Sequence, residues 1–250
     1  MALRITQWPT GNFGYPQGTH GRNGEQIVAI VDHIMEGNRA GYHSYLADSN
    51  RNSANFSVYK DGHVEQHVPL SDAAWCNGHM AAPNLAIHWI KRCSDQGISP
   101  NLVTVSIEHE GYSGVAWPVA QVAATIELHR YIRARCPNVT LDRTHIVGHI
   151  AIDSVNKSRC PGSQFPWIRL MAGLKPAAPA INWAGIGAGL VAYCKAHGLT
   201  PRPEPALRWF DSYHDEYLWV KGNAAHPHGG MLTYRASTGE IGEMWWSRSP

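Results

Sequence analysis

Apolar and polar positions alternate along this chain with two periods, and the periods divide residues 25–174 into strands and helices. Ile27-Val-Ala-Ile-Val-Asp-His33 is a nearly unbroken apolar run rich in β-branched residues and predicts a buried central strand ending at His33. A short helix is expected between Gly37 and Asn50. Phe56-Ser-Val58-Tyr and Val64-Glu-Gln-His-Val68 flank Lys60-Asp61-Gly62-His63, a hairpin with an Asp-Gly turn. Pro83 to Gln96 reads as a helix stopped by Gly97, and Val103 to Glu110 as a strand with Thr104, Ser106, Glu108 and Glu110 on one face. Pro118 opens a helix whose inward stripe is predicted at Val119, Val122, Ala123 and Ile126, ending near Pro137. Thr144 to His149 completes the set as a short strand that puts His145 and His149 on one face.

Strands alternating with helices, plus one hairpin, imply an α/β fold: a mixed central β-sheet flanked by helices. Residues 1–24, rich in Gly, Pro and Asn, read as an irregular N-terminal arm. Leu174-Lys-Pro-Ala-Ala-Pro-Ala reads as a linker, followed by a helical stretch from Asn182 to His197 and three further prolines. The expected organisation is therefore an arm (1–24), a catalytic domain (25–174) and a C-terminal extension (175–250). The extension carries Trp209, Trp219 and Trp245-Trp246 and is read either as a wall-binding module or, preferred, as a helical extension packed on the domain.

Composition narrows the classes. The chain has 250 residues, 44% hydrophobic and 16% charged, enough to bury a core. A net charge of +2 argues against nucleic acid as a partner. The longest apolar stretch, Ile181 to Cys194, falls short of the about 20 residues that a membrane span needs. The N-terminal segment lacks the pattern of a secretory signal, so synthesis in the cytoplasm is expected. Five scattered cysteines argue for free thiols rather than a disulfide framework. A monomer is expected.

The chemistry concentrates in Gly148-His149 through Lys157 to Cys160-Pro161-Gly162. His33 and His149 at two strand ends can meet at one sheet edge, and the loop after His149 can return Cys160 to them. Two imidazoles and a thiolate suit Zn²⁺ and leave a fourth position for water, which is the form of a catalytic site. His145 competes as a substitute ligand or a neighbour of one. Glu108 and Glu110 are either solvated carboxylates or a base beside the metal water, and Lys157 is either a surface lysine or a cation for a developing oxyanion. Trp75-Cys76-Asn77-Gly78-His79 is a pocket lip or plain packing. Cys160 with His149 could instead form a cysteine hydrolase, although Pro161 supplies no N–H to an oxyanion hole.

Taken in order, His33 after an apolar strand, Asn55-Phe56 before the Lys-Asp-Gly hairpin, Ala74-Trp75, Val105-Ser-Ile-Glu108-His-Glu110-Gly111, and Val147-Gly148-His149 through Lys157 to Cys160-Pro-Gly resemble the zinc N-acetylmuramoyl-L-alanine amidases of the type-2 superfamily, which includes phage endolysins and peptidoglycan-recognition proteins. The resemblance covers about residues 20–170. It implies one zinc in a surface groove, with His33, His149 and Cys160 as ligands, Lys157 and Glu108 as catalytic residues, and Trp75 and Asn55 as substrate contacts. It implies peptidoglycan as substrate, cut between N-acetylmuramic acid and L-alanine. The chain departs from the pattern at Ala54-Asn55, where one branch has Tyr-His, and at Cys76, where a histidine is common. A lytic enzyme acting on the cell wall after release during phage lysis is expected. The alternatives are a non-catalytic peptidoglycan-binding module and a cytoplasmic amidase recycling muropeptides.

Overall fold

The structure, a computed structural model, describes residues 3–49, 51–175, 193–194, 196–199, 207–210, 215–220, 226, 228–235, 240–245 and 247. The chain divides into two compact units, Met1–Lys175 and Pro176–Pro250.

The first unit is built on a six-stranded sheet in the order β1-β4-β3-β5-β2-β6. Its strands are β1 (Ile5–Gln7), β2 (Ala29–Ile34), β3 (Phe56–Val58), β4 (Val64–Gln66), β5 (Thr104–His109) and β6 (Ile146–Gly148). The β3–β4 hairpin is antiparallel and the other pairings are parallel. The sheet is thus mixed, as the alternating pattern predicts. The hairpin turn is the expected one: Gly62 takes φ 85°, and Asp61 Oδ1 accepts from the His63 backbone N–H at 2.8 Å.

Helices α1 (Arg39–Leu46), α2 (His88–Gln96), α3 (Pro100–Val103), α4 (Val119–Arg135) and α5 (Trp167–Leu174) complete the unit. On one face of the sheet, Ile30, Val105 and Ile107 pack with Leu128 and Ile132 of α4. On the other, Ala29, Val31 and Val147 pack with Trp89, Ile90 and Cys93 of α2. Alternate residues of β2 therefore enter two different cores, which explains why its sequence is apolar almost throughout.

Several sequence expectations are corrected. The arm is not wholly irregular. Ile5–Gln7 pairs with β4 as an edge strand, with Leu3 and Ile5 against the main core. Farther along the arm the buried Arg22 guanidinium donates to the carbonyls of Leu70, Asn101, Leu102, Thr104 and Asp72 at 2.7–3.1 Å. Helix α2 begins at His88 rather than Pro83, because the Asn84 side chain accepts from the Ala86 N–H and holds a turn there. On α4, Val119 and Ala123 are exposed, while Gln121, Thr125 and His129 are buried. These polar groups have partners: Gln121 donates to the carbonyls of Val58 and Glu110, and His129 Nε2 meets Asp32 Oδ2 at 3.2 Å. An apolar stripe cannot reveal a buried face that is partly hydrogen-bonded.

The second unit contains a four-stranded antiparallel sheet in the order β10-β9-β8-β7: β7 (Leu207–Phe210), β8 (Asp215–Val220), β9 (Gly230–Arg235) and β10 (Glu240–Trp245). This replaces the helical extension preferred from sequence. The segments are rich in Trp, Tyr, Phe and Leu, residues that favour a pleated surface. The linker beyond Lys175, Gly185–Gly189 and most of the predicted Asn182–His197 helix lie outside the described residues; Tyr193, Cys194 and Ala196 are helical.

Two features position the strand ends. Glu65, buried in β4, accepts from Arg39, from Tyr59 Oη at 2.5 Å and from His43 Nε2 at 2.7 Å, tying α1 to the hairpin. Burial raises its pKa, but these hydrogen bonds together outweigh burial and bring it down to about 2. At Gly148 an added Cβ would lie 2.3 Å from Pro161 Cδ and 3.2 Å from the Cys160 carbonyl oxygen, so the Cys160 loop needs a glycine beneath it.

Two outcomes are expected. Glu65→Gln lowers stability at neutral pH by about 1.5–3 kcal/mol, the range for hydrogen bonds to a charged group. Because the folded pKa is depressed from 4.5, that difference is present above pH 4.5 and lost as pH falls through about 2. Urea midpoints that differ equally at pH 7 and at the acid end would contradict this account. Gly148→Ala costs about 1–3 kcal/mol through overpacking, read by thermal melting; an unchanged midpoint would show that the loop gives way freely.

Candidate metal centre and active site

Strand register sets the first half of the site. His33 on β2 lies beside Glu108 on β5, and Asp32 beside Gly148 on β6. The residue after Gly148 is His149, which begins a one-turn 3₁₀ helix (His149–Ala151) rather than continuing the strand. His149 therefore turns in over the strand ends, and its ring centroid lies 4.5 Å from that of His33, edge to face. His145, predicted to share a face with His149, instead bonds Asp142 through Nδ1 at 2.9 Å; the change of secondary structure at His149 breaks the alternation.

The following loop winds back in hydrogen-bonded turns. Asp153 N–H donates to the His149 carbonyl, Lys157 N–H to that of Asp153, Cys160 N–H to that of Lys157, and Ile150 N–H closes onto the Cys160 carbonyl. Cys160 Sγ thereby comes within 3.8 Å of His33 Nδ1. One ligand atom from each of His33, His149 and Cys160 lies within 4.8 Å of the others. A cavity of about 660 Å³ opens over them, lined also by Tyr42, Cys76, Glu108 and Lys157.

The donor set suits a metal ion. Burial, then the neighbouring His149 and His109, holds the His33 pKa well below its usual value. Burial, then the Lys157 charge, lowers that of His149 to about 4. Both imidazoles are neutral at pH 7 and can offer lone pairs. Burial, then Glu108, pushes the Cys160 thiol up to about 12, so binding of a cation there would release its proton. Behind His33 lies Asn77. Asn77 Nδ2 donates to Thr104 Oγ1 (2.9 Å) and Ser106 Oγ (2.8 Å), which turns its Oδ1 the other way. That Oδ1 and His33 Nε2 are both buried without a hydrogen-bond partner, while His33 Nδ1 faces the sulfurs of Cys76 (3.6 Å) and Cys160 (3.8 Å).

Glu108 is not a solvated edge carboxylate, because β5 is a central strand. Its Oε1 accepts from Cys76 Sγ at 3.5 Å, and its Oε2 is buried without a partner. Burial raises its pKa to about 7. Glu110 turns away and accepts from the backbone N–H groups of Lys60 and Arg39. Lys157 is exposed on the cavity wall.

The two expected substrate contacts lie elsewhere. Asn55 is fully buried, donates to the carbonyls of Val68, Pro69 and Asp72, and accepts from Ser106 N–H; it secures the hairpin. Trp75 donates to the Gly14 carbonyl and packs near Tyr15, outside the cavity lining. Tyr42, from α1, was not legible in the sequence as a site residue. Its hydroxyl is held far from ionisation, first by burial and then by Glu108 and Cys76. Only packing of α1 over the hairpin brings it there.

Residues 23–163, more than half of the chain, match the N-acetylmuramoyl-L-alanine amidase family (Amidase_2). Among curated proteins, the chain is 30% identical over 135 residues to the 1,6-anhydro-N-acetylmuramyl-L-alanine amidase AmpD of Haemophilus influenzae, a match covering 53% of this chain and 65% of the relative. It is 27% identical over 166 residues to AmpD of Citrobacter freundii, covering 66% and 79%. Among solved structures, the crystal structure of a selenomethionine AmpD derivative shares the fold with a TM-score of 0.52 at 20% identity, over 70% of this chain and 96% of that one. By the match over residues 23–163, the chain belongs to the N-acetylmuramoyl-L-alanine amidase family.

Proposed function

We propose that this protein is a zinc hydrolase that cuts the amide bond between the lactyl group of N-acetylmuramic acid and L-alanine in peptidoglycan, and that it acts as a lytic enzyme on the cell wall. The carrying observation is the convergence of two neutral imidazoles and a thiol within 4.8 Å, at the base of a cavity that also holds a buried carboxylate with an elevated pKa. His33, His149 and Cys160 hold the metal. Zinc bound there supplies a Lewis acid and lowers the pKa of water.

The chain's own residues do the rest. Glu108 takes a proton from the attacking water and delivers it to the departing L-alanine nitrogen, so one carboxyl serves as base and then acid. Its pKa of about 7 suits both roles near neutral pH. Lys157, in the loop that returns Cys160, presents its ammonium group to the carbonyl oxygen as negative charge develops. The fully buried His109 donates from Nδ1 to the His33 carbonyl at 2.9 Å and keeps the end of β2 in place. Residues 25–174 carry this chemistry, and the extension 175–250 contributes wall contact through its aromatic strands.

A second reading is recycling of soluble muropeptides, favoured by the two curated relatives, both 1,6-anhydro-N-acetylmuramyl-L-alanine amidases. Intact sacculi and soluble anhydro-muropeptides, offered separately, distinguish the two: a lytic enzyme releases stem peptides from sacculi, a recycling enzyme only from the soluble fragments.

Chelation should abolish release of L-alanine-terminated peptides, followed by mass spectrometry, and zinc should restore it; full activity in a metal-free protein would sink the zinc reading. Glu108→Gln should lower kcat by about 10²–10⁴-fold, the usual contribution of a general base. The wild-type rate should climb as pH rises through about 7, because the carboxylate form is the base. A pH profile flat from 5 to 8 would remove Glu108 from that role.

A further inference from the structure

We infer that the site contains a second, overlapping metal seat made by His33, Cys76 and Glu108, which holds the ion in an inactive position. The inference rests on the metal-binding reading of the first seat and adds to it. Ligand atoms of His33, Cys76 and Glu108 lie within 4.8 Å of one another, the only other such group among the described residues.

Two edges of this group have the dimensions of a coordination tetrahedron. With bonds of about 2.3 Å to sulfur and about 2.0–2.2 Å to nitrogen or oxygen, tetrahedral angles place neighbouring ligand atoms about 3.5–3.6 Å apart. Cys76 Sγ lies 3.6 Å from His33 Nδ1 and 3.5 Å from Glu108 Oε1. The corresponding edge of the first seat, Cys160 Sγ to His33 Nδ1, is 3.8 Å. Independently, Glu108 leaves Oε2 buried and unpartnered, an orphaned acceptor that a cation would satisfy.

The seats exclude each other. Each seat draws on His33 Nδ1, whose single lone pair can serve one ion at a time. Both sulfurs face that same atom. An ion in the first seat leaves Glu108 free to move protons. An ion in the second seat takes Glu108 as a ligand and removes the base from the reaction. Cys76, where the family pattern commonly has histidine, gives the second seat its soft donor.

Cobalt(II), added alone to the full-length metal-free protein, reports the seats through its thiolate-to-metal charge-transfer band and its binding stoichiometry. Cys160→Ser should still bind one cobalt with a one-thiolate band while losing amidase activity. Cys76→Ser/Cys160→Ser should show no such band and at least ten-fold weaker binding than Cys160→Ser alone. Glu108→Gln added to Cys160→Ser should also weaken cobalt binding by ten-fold or more. Cys160→Ala, checked by thermal melting, repeats the first arm if the serine variant does not fold. A folded Cys160 variant without a thiolate band, or one whose cobalt affinity ignores Glu108→Gln, overturns the second seat. Failure of the zinc reading itself looks different: the wild type then binds no cobalt at all.

Discussion

The structure depends on the parallel register of one buried strand. β2 lies between β5 and β6, and its hydrogen bonds set His33 beside Glu108 and Asp32 beside Gly148. A slip of one residue would swap the faces, sending His33 into the α4 core and Asp32 into the cavity. The register is held by Ala29, Ile30 and Val31, each fully buried and split between two cores. Placement of a ligand is thus a consequence of hydrophobic packing several residues away.

The two faces of β2 carry two polar systems at the same level. On the α4 side, Asp32 sits between His129 (3.2 Å) and His109 (3.6 Å), all three fully buried. On the cavity side, His33 is faced by the thiols of Cys76 and Cys160. His109 connects them through its Nδ1 contact with the His33 carbonyl. Burying so many polar groups is tolerable because nearly all have partners. Among the described residues six buried side-chain atoms lack one, and three of them, His33 Nε2, Asn77 Oδ1 and Glu108 Oε2, lie at or behind the site. Desolvation of this cluster keeps both imidazoles neutral and raises Glu108, which gives a cation-binding floor beside a group that can exchange protons near pH 7.

Legibility in the sequence followed the strength of local signals. The β3–β4 hairpin was readable because Asp61-Gly62 admits a particular turn and the flanking residues alternate. The end of α2 was readable at Gly97, its left-handed cap. The start of that helix, the inward face of α4 and the edge strand at Ile5–Gln7 were not. Each is decided by a side chain bonding a backbone group, or by a strand remote in sequence. Asn55 stood in a motif and suggested a substrate contact, yet it is a structural clamp. A conspicuous polar residue serves binding or packing according to its surroundings, which a motif does not state.

The sequence by itself determined the mixed α/β class of the first unit, the family, and the residue types able to hold a soft-to-borderline metal ion, because periodicity and ligand chemistry are properties of the residues themselves. Only the tertiary structure decided that His149 turns inward while His145 turns away, that Tyr42 and Cys76 reach the cavity, and that β7 to β10 pair as a sheet. These outcomes rest on hydrogen bonds and burial between segments tens of residues apart, and no local pattern encodes the energy of a contact before the chain has closed around it.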